Sequence, residues 1–218
     1  FVGRLNQDVL SGTSKVGLIT TAVNRRDAQS AYTTAVDWNL KFKENSYEFT
    51  GIVAGSRTGE AGERKNGYIS HFEFDKRGGW LEGETGFSAI SPDLDINDMG
   101  FIRRNDLIES WARLRFNRNQ PLGIFRNFDI SSDGQVVWNY DGMRIENEFD
   151  ISSWGELKNY WEIHLHFGRS FESLNDNDVR RGGTVIKSPA NYFVHGSIST
   201  DDRKAISFSI RPEIWRHD

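Results

Sequence analysis

Four side chains with oxygen ligands lie close together in one stretch of the sequence. Asp93, Asp95 and Asn97 stand at alternating positions, and Asp98 follows directly. Calcium loops space their ligands in this way, but an EF-hand loop also needs Gly at its sixth position and Glu at its twelfth. Asp98 occupies the sixth position here, and no Glu occupies the twelfth. We therefore predict a solvated surface loop, with Asp93, Asp95 and Asn97 as weak candidates for a metal site.

Two histidines form a second candidate site. His164 and His166 are two residues apart, so on a β-strand both imidazoles point to the same face. Such a pair can bind zinc when a third ligand comes from a neighbouring strand. Glu162 lies on the same face, however, and a lumen lined with mixed polar groups explains all three side chains without a metal. The prediction is that the protein has no metal and no cofactor.

Paired carboxylates are the third candidate, because glycoside hydrolases use two carboxyl groups about 5–10 Å apart. Residues i and i+2 on any polar strand face satisfy that separation, so a charge ladder with Arg113 and Arg115 is the preferred interpretation. The sequence has no nucleophile elbow, phosphate-binding glycine loop or zinc-protease helix, and we predict no enzyme, with a glycoside hydrolase as the alternative. The pairs are Glu73 and Asp75, Glu82 and Glu84, and Glu146 and Glu148.

Most of these residues lie in segments where polar and apolar side chains alternate with a period of two. Successive side chains of a strand point to opposite faces, so each alternating segment has one polar and one apolar face, which predicts an all-β protein. The polar positions, predicted to face water in a lumen, are Asp37, Asn39, Lys41, Glu82, Glu84, Arg113, Arg115, Glu162, His164 and His166. The apolar positions, predicted to face lipid, are Val36, Trp38, Leu40, Phe42, Leu114, Phe116, Trp161, Ile163, Leu165 and Phe167.

The same pattern predicts about twelve antiparallel strands in one domain over residues 1–218. Short turns alternate with longer loops between them, which is typical of an up-and-down barrel in the outer membrane. A soluble β-sandwich also alternates and is the rival fold. The strands are predicted at 1–10, 14–24, 33–43, 46–57, 66–76, 79–90, 105–117, 122–140, 142–152, 157–168, 190–199 and 204–215.

Tryptophans near the predicted strand ends favour the barrel, because membrane barrels place Trp and Tyr at the headgroup level. They are Trp80, Trp111, Trp138, Trp154, Trp161 and Trp215.

Composition excludes several classes of function. A net charge of -4 argues against a general affinity for nucleic acid. The absence of Cys excludes disulfides, thiolate metal sites and cysteine nucleophiles. No run of about 18 apolar residues provides a spanning helix. A mean hydropathy of -0.60 beside 13% aromatic residues permits a barrel with a polar lumen. The chain begins at Phe1 without a signal peptide, so we expect a processed or partial chain.

Three segments resemble a bacterial family known as domain of unknown function 5916. They are the N-terminal run containing Phe1–Leu5 and Ser14–Ile19, the loop Ile90–Asp106, and the hairpin Trp138–Gly142. The loop has the family's Ser-Pro-Asp start, Gly-Phe centre and Arg-x-Asp end, but Arg103 stands where the family often has Pro. The resemblance covers most of residues 1–170.

The resemblance implies a C-terminal outer-membrane barrel of a Gram-negative bacterium of the Bacteroidetes type, in a family whose barrel usually follows a carbohydrate-binding domain similar to family 9. The expected function is non-enzymatic: envelope transport, anchoring or surface display, linked to glycan handling only through that neighbouring domain. The expected partners are the lipid bilayer, and glycans or another envelope protein, without nucleic acid. The alternative is a secreted β-sandwich that binds or hydrolyses polysaccharide.

Overall fold

A computed structural model describes residues 1–26, 29–59, 63–98, 100–176 and 183–217. Within these ranges the protein is all-β and contains no helix, and none of the described residues forms a helix long and apolar enough to cross a membrane. The strands are β1 (Val2–Val9), β2 (Ser14–Val23), β3 (Ala31–Phe42), β4 (Tyr47–Thr58), β5 (Lys65–Lys76), β6 (Leu81–Ile90), β7 (Leu107–Arg118), β8 (Phe125–Trp138), β9 (Arg144–Leu157), β10 (Glu162–Ser170), β11 (Ser173–Asn175), β12 (Ile186–Ser188), β13 (Asn191–Ser199), β14 (Ser209–Ile210) and β15 (Glu213–His217).

The strands follow an up-and-down order. β1 to β10 are hydrogen-bonded neighbours in sequence order, followed by β13, which pairs with both β14 and β15. β11 and β12 form a separate two-stranded sheet. The antiparallel, up-and-down sheet confirms the predicted fold class at this level. Among the described residues β1 pairs only with β2, so the observed pairing does not close the sheet.

The chain divides into two compact units. The first unit comprises Phe1–Arg77, Thr85–Ser110 and Val137–Met143. The second unit comprises Gly78–Glu84, Trp111–Val136 and Arg144–Asp218.

Most strand predictions are confirmed within a few residues, including β3, β4 and β5. The sequence predicts a bulge or kink, and not a turn, at Ser132–Gly134, and β8 continues through these residues. The predicted turn at 153–156 is wrong, because β9 continues to Leu157 and the chain turns at 158–161. Gly155, within that predicted turn, lies in β9 beneath the Phe125 ring, where an added Cβ would stand 2.7 Å from a ring carbon.

Two further predictions need correction. The predicted strand 204–215 is wrong, since Pro212 separates β14 from β15 and has no N–H for the ladder. The predicted loop 169–189 contains β11 and β12, and its residues 177–182 lie outside the described part of the chain.

The distribution of buried side chains is the reverse of that in a soluble domain. Most buried apolar residues are alanines, while the buried polar residues include two carboxylates that come from adjacent strands, Glu48 and Asp75. Many large apolar side chains are exposed, among them Leu5, Leu114 and Leu165, whose relative exposures are 70%, 58% and 56%. In β3, β4 and β5 the buried positions are therefore small or charged residues, while bulky residues such as Val36, Val53 and Phe74 are exposed.

Aromatic packing on the apolar face of the first unit depends on a glycine. Trp38 in β3 lies directly opposite Gly51 in β4, and its indole covers the glycine closely enough to occupy the position of a Cβ atom. The same indole packs against Phe49 and Phe72, with ring centroids 5.7 and 5.8 Å apart. A cross-strand aromatic ring over glycine fixes the register of a sheet.

Gly51→Val should lower the free energy of unfolding by about 1–3 kcal/mol, because the new side chain and the Trp38 indole cannot share one volume. Gly55→Val in the same strand is the matched control, since the nearest heavy atom to its added Cβ is 3.9 Å away. Urea unfolding of both variants measures the difference. Equal stability of the two variants would contradict the packing assigned to Trp38.

Candidate functional site

The polar face of the first unit contains a row of charged residues across three strands. Lys41 in β3 lies opposite Glu48 in β4, and Glu48 lies opposite Asp75 in β5. Adjacent carboxylates repel each other, but Arg77 contacts both, with Nη1 2.7 Å from Glu48 and Nη2 3.5 Å from Asp75. Asn39 also donates a hydrogen bond to Glu48. Two protected carboxylates are thus held by one arginine.

A second ion pair on this face spans β1 to β3. Arg4 reaches Asp37 at 3.1 Å over Gly17, which lies between them in β2. A Cβ at Gly17 would stand 2.7 Å from an Asp37 oxygen and 3.0 Å from Arg4 Nη2. The glycine therefore leaves the space through which the two charges meet.

The polar face of the second unit carries a ladder of alternating charges. Arg113 in β7 lies 3.9 Å from Glu84 and 3.8 Å from Asp133. Arg115, two residues along the same strand, lies 3.5 Å from Asp129. These contacts form the predicted charge ladder, and Glu82, two residues before Glu84, is half-buried.

Polar contacts continue from β8 to β10. The Ser131 and Ser152 hydroxyls are 2.8 Å apart, and His166 Nε2 is 2.9 Å from Asp150 Oδ1. His164 lies beside Trp154 in β9 on the same face, and Glu162 is exposed. The second unit therefore presents cations, carboxylates and hydroxyls side by side.

An open polar cavity of about 600 Å³ lies on this face of the second unit. It is lined by Arg113, Arg115, Asp129, Ser131, Asp133, Asp150, Ser152, His164 and His166. Every arginine at its wall has a carboxylate neighbour within 4 Å. Such a surface offers hydrogen-bond donors and acceptors of both charges side by side.

The rings of the candidate histidine pair lie near each other and near a third histidine ring. His164 lies with its ring centroid 6.3 Å from that of His166 and 5.5 Å from that of His195. No group of three or more His, Cys, Asp or Glu side chains in the described residues is arranged to hold a metal ion.

In the acidic loop Asp93–Asp98, the carboxyl oxygens of Asp95 and Asp98 accept hydrogen bonds from other groups of the protein. Asp95 Oδ1 accepts hydrogen bonds from the backbone and side-chain nitrogens of Asn97, both at 3.1 Å. Asp98 binds Arg25 at 2.5 and 3.2 Å, and that hydrogen-bonded guanidinium holds the pKa of the Asp98 carboxyl below its usual value. Asp93 is exposed.

Five of the ten residues predicted to face lipid are exposed. Val36 and Phe42 in β3 are exposed, as are Leu114 in β7 and both Leu165 and Phe167 in β10. The remaining five are half-buried: Trp38, Leu40, Phe116, Trp161 and Ile163.

Several residues that form ion pairs on the polar face were not predicted from the sequence. Glu48, Arg77, Asp129, Asp133 and Asp150 all contribute charges to the polar face. The signal was available in β8, where Asp129, Ser131 and Asp133 alternate as Arg113 and Arg115 do in β7.

The prediction that Trp111 lies near a strand end is wrong. Trp111 is the fifth residue of β7 and does not lie at its end, and its indole N–H donates to Glu84 at 2.9 Å. It shares the polar face with Arg113, because the two residues are two positions apart.

The family model described as "Domain of unknown function (DUF5916)" matches residues 4–218. The chain belongs to this family. The match includes the region beyond residue 170, where the sequence resemblance was expected to be weaker. No curated protein and no solved structure shows a significant match to the chain.

Arg77→Leu should lower the free energy of unfolding by about 1–3 kcal/mol, because it removes the guanidinium that contacts both Glu48 and Asp75, two protected carboxylates that face each other. Adding Asp75→Asn should recover part of that loss by removing one of the two charges. Arg57→Leu, an exposed position on the opposite face of β4, is the control and should change stability by less than about 0.5 kcal/mol. Chemical denaturation measures all three. No recovery in the double variant would contradict the shared role of Arg77.

Proposed function

We propose that this DUF5916 chain forms an outer-membrane β-barrel, or a portion of one, with its apolar face against lipid and its polar face around water. One observation carries the proposal: large apolar side chains are exposed while carboxylates, serines and alanines are buried. Lipid is a favourable environment for exposed apolar side chains, and a hydrated lumen is favourable for carboxylates and serines.

The length and order of the strands support the same assignment. β3, β4, β5 and β7 each have 12 residues, enough to cross the hydrocarbon layer when tilted. Neighbouring strands follow one another in an up-and-down order, which is the usual topology of outer-membrane barrels.

The soluble sandwich explains the exposed residues less well. In a sandwich, the apolar faces of two sheets pack together and bury their side chains. Leu165 and Leu114 are more than half exposed, and the best-buried positions on the protected face of the first unit are polar or small. A sandwich with this distribution would have its hydrophobic face in water.

The proposed role is non-enzymatic, in envelope transport, anchoring or surface display, in the outer membrane of a Gram-negative bacterium. The charge ladder around Arg113 and Arg115 supports a water-filled path, since paired cations and anions suit hydrophilic solutes. The link to glycans rests on the family's usual neighbouring domain alone. The proposed partners are the bilayer, and glycans or another envelope protein.

Leu165→Arg tests which medium contacts the apolar face. With lipid there, the variant folded into liposomes should lose about 2–4 kcal/mol of stability, because a charge at mid-strand enters hydrocarbon. In a soluble fold the exposed site should tolerate Arg within about 0.5 kcal/mol. His166→Arg, on the polar face beside Asp150, introduces the same side chain next to a carboxylate and serves as the control. Equal tolerance at both positions would contradict the assignment of faces.

Purification provides an independent check. The full-length protein should require detergent to stay in solution, and it should migrate differently on a denaturing gel before and after heating, because closed membrane barrels resist unfolding by detergent. A monodisperse protein in detergent-free buffer would overturn the proposal.

A further inference from the structure

The segment Ser91–Asp98, here called the inward segment, follows β6 and lies on the polar face of β4 and β5. Its contacts, Ser56 and Gly67, are directly opposite each other in the ladder. Both belong to the same face as Glu48 and Asp75, since they lie eight residues from them along their strands. This loop therefore folds back over the protected face of the first unit.

Backbone hydrogen bonds fix the start of the inward segment. The Ser91 N–H donates to the Tyr68 carbonyl at 2.9 Å, and the Tyr68 N–H donates to the Ser91 hydroxyl at 2.8 Å. Four residues later the Asp95 N–H donates to the Ser56 hydroxyl at 3.1 Å. The loop is attached to both strands that it covers.

Gly67 permits this close approach. A Cβ added to Gly67 would overlap the backbone nitrogen and Cα of Leu94 and stand 2.5 Å from the carbonyl carbon of Asp93. Backbone atoms cannot move aside as the tip of a side chain can, so only glycine fits here. Leu94 itself is 2% exposed, the most protected large side chain described.

The far end of the inward segment is also tied down. Asp98 binds Arg25, which follows β2, through two hydrogen bonds. Asp95 and Asn97 hydrogen-bond each other and stiffen the stretch between the two attachment points. The segment is thus an ordered part of the first unit.

We propose that the inward segment narrows the lumen of the barrel and limits passage to small polar solutes. This inference rests on the proposed function, because the polar face is a lumen only if the strands close around water. In that case an ordered backbone attached to β4 and β5 occupies part of the cross-section, and displacing it should widen the path.

Gly67→Val displaces the segment directly, since the valine side chain and the Leu94 backbone compete for one space. Gly55→Val is the matched control on the opposite face of the same strand pair. Ser56→Ala is a milder second variant that removes only the acceptor of the Asp95 N–H. Because the chain has no Cys, Leu94→Cys introduces a unique thiol that reports release of the segment.

Maleimide labelling of Leu94→Cys in detergent should be at least about tenfold faster with Gly67→Val than with Gly55→Val. Ser56→Ala should give a smaller increase. In planar bilayers, single-channel conductance in KCl should rise for Gly67→Val and stay at the unsubstituted level for Gly55→Val. Together these results would support the constriction.

Each result that contradicts the proposal contradicts a different part of it. Faster labelling with unchanged conductance would overturn the constriction and leave the barrel proposal standing. Unchanged labelling would contradict the placement of Leu94 over Gly67. Failure of the unsubstituted protein to insert into bilayers would overturn the proposed function, and the inference with it.

Discussion

A strand with a period of two presents two faces, and each face must meet a medium that suits it. In this protein bulky apolar side chains such as Val36, Leu114 and Leu165 are exposed, while the buried positions of β3, β4 and β5 are alanine, glycine, serine, glutamate or aspartate. Apolar surface on this scale is unfavourable in water, at roughly 25 cal/mol per Å². The rest of the structure follows from that segregation, because it determines which residues must find charge partners and which must find a nonaqueous neighbour.

Charged side chains on the protected face also need partners. A protected carboxylate needs a cation or hydrogen-bond donors, and Arg77 meets that need for Glu48 and Asp75 together. Arg113 lies between Glu84 and Asp133 in the second unit, at 3.9 and 3.8 Å, and those two carboxylates are more exposed. Glycines make room where these contacts or a loop must come close to the sheet, as Gly17 does for an ion pair and Gly67 for a backbone segment.

Local pattern was sufficient to predict the strands but not their partners. The alternation at 36–42 predicted β3 and its two faces, because side-chain direction depends only on position within the strand. The contact of Arg113 with Asp133 depends on register between strands, which sequence spacing does not determine. Gly155 and Gly67 illustrate the same limit: the spacing of the sequence does not show that one accommodates the Phe125 ring and the other the Leu94 backbone. Pro212 did carry a local signal, and the predicted strand 204–215 ignored it.

The medium on each face can be measured directly in β3, since every introduced cysteine is unique in this chain. Nitroxide spin labels placed one at a time from Val36 to Phe42 in the membrane-reconstituted protein would report collisions with oxygen, which concentrates in lipid, and with a water-soluble nickel chelate. We predict that oxygen accessibility peaks at Val36, Trp38, Leu40 and Phe42, and that nickel accessibility peaks at the residues between them. Peaks for both reagents at the same positions would contradict the account, because the apolar face would then lie in water.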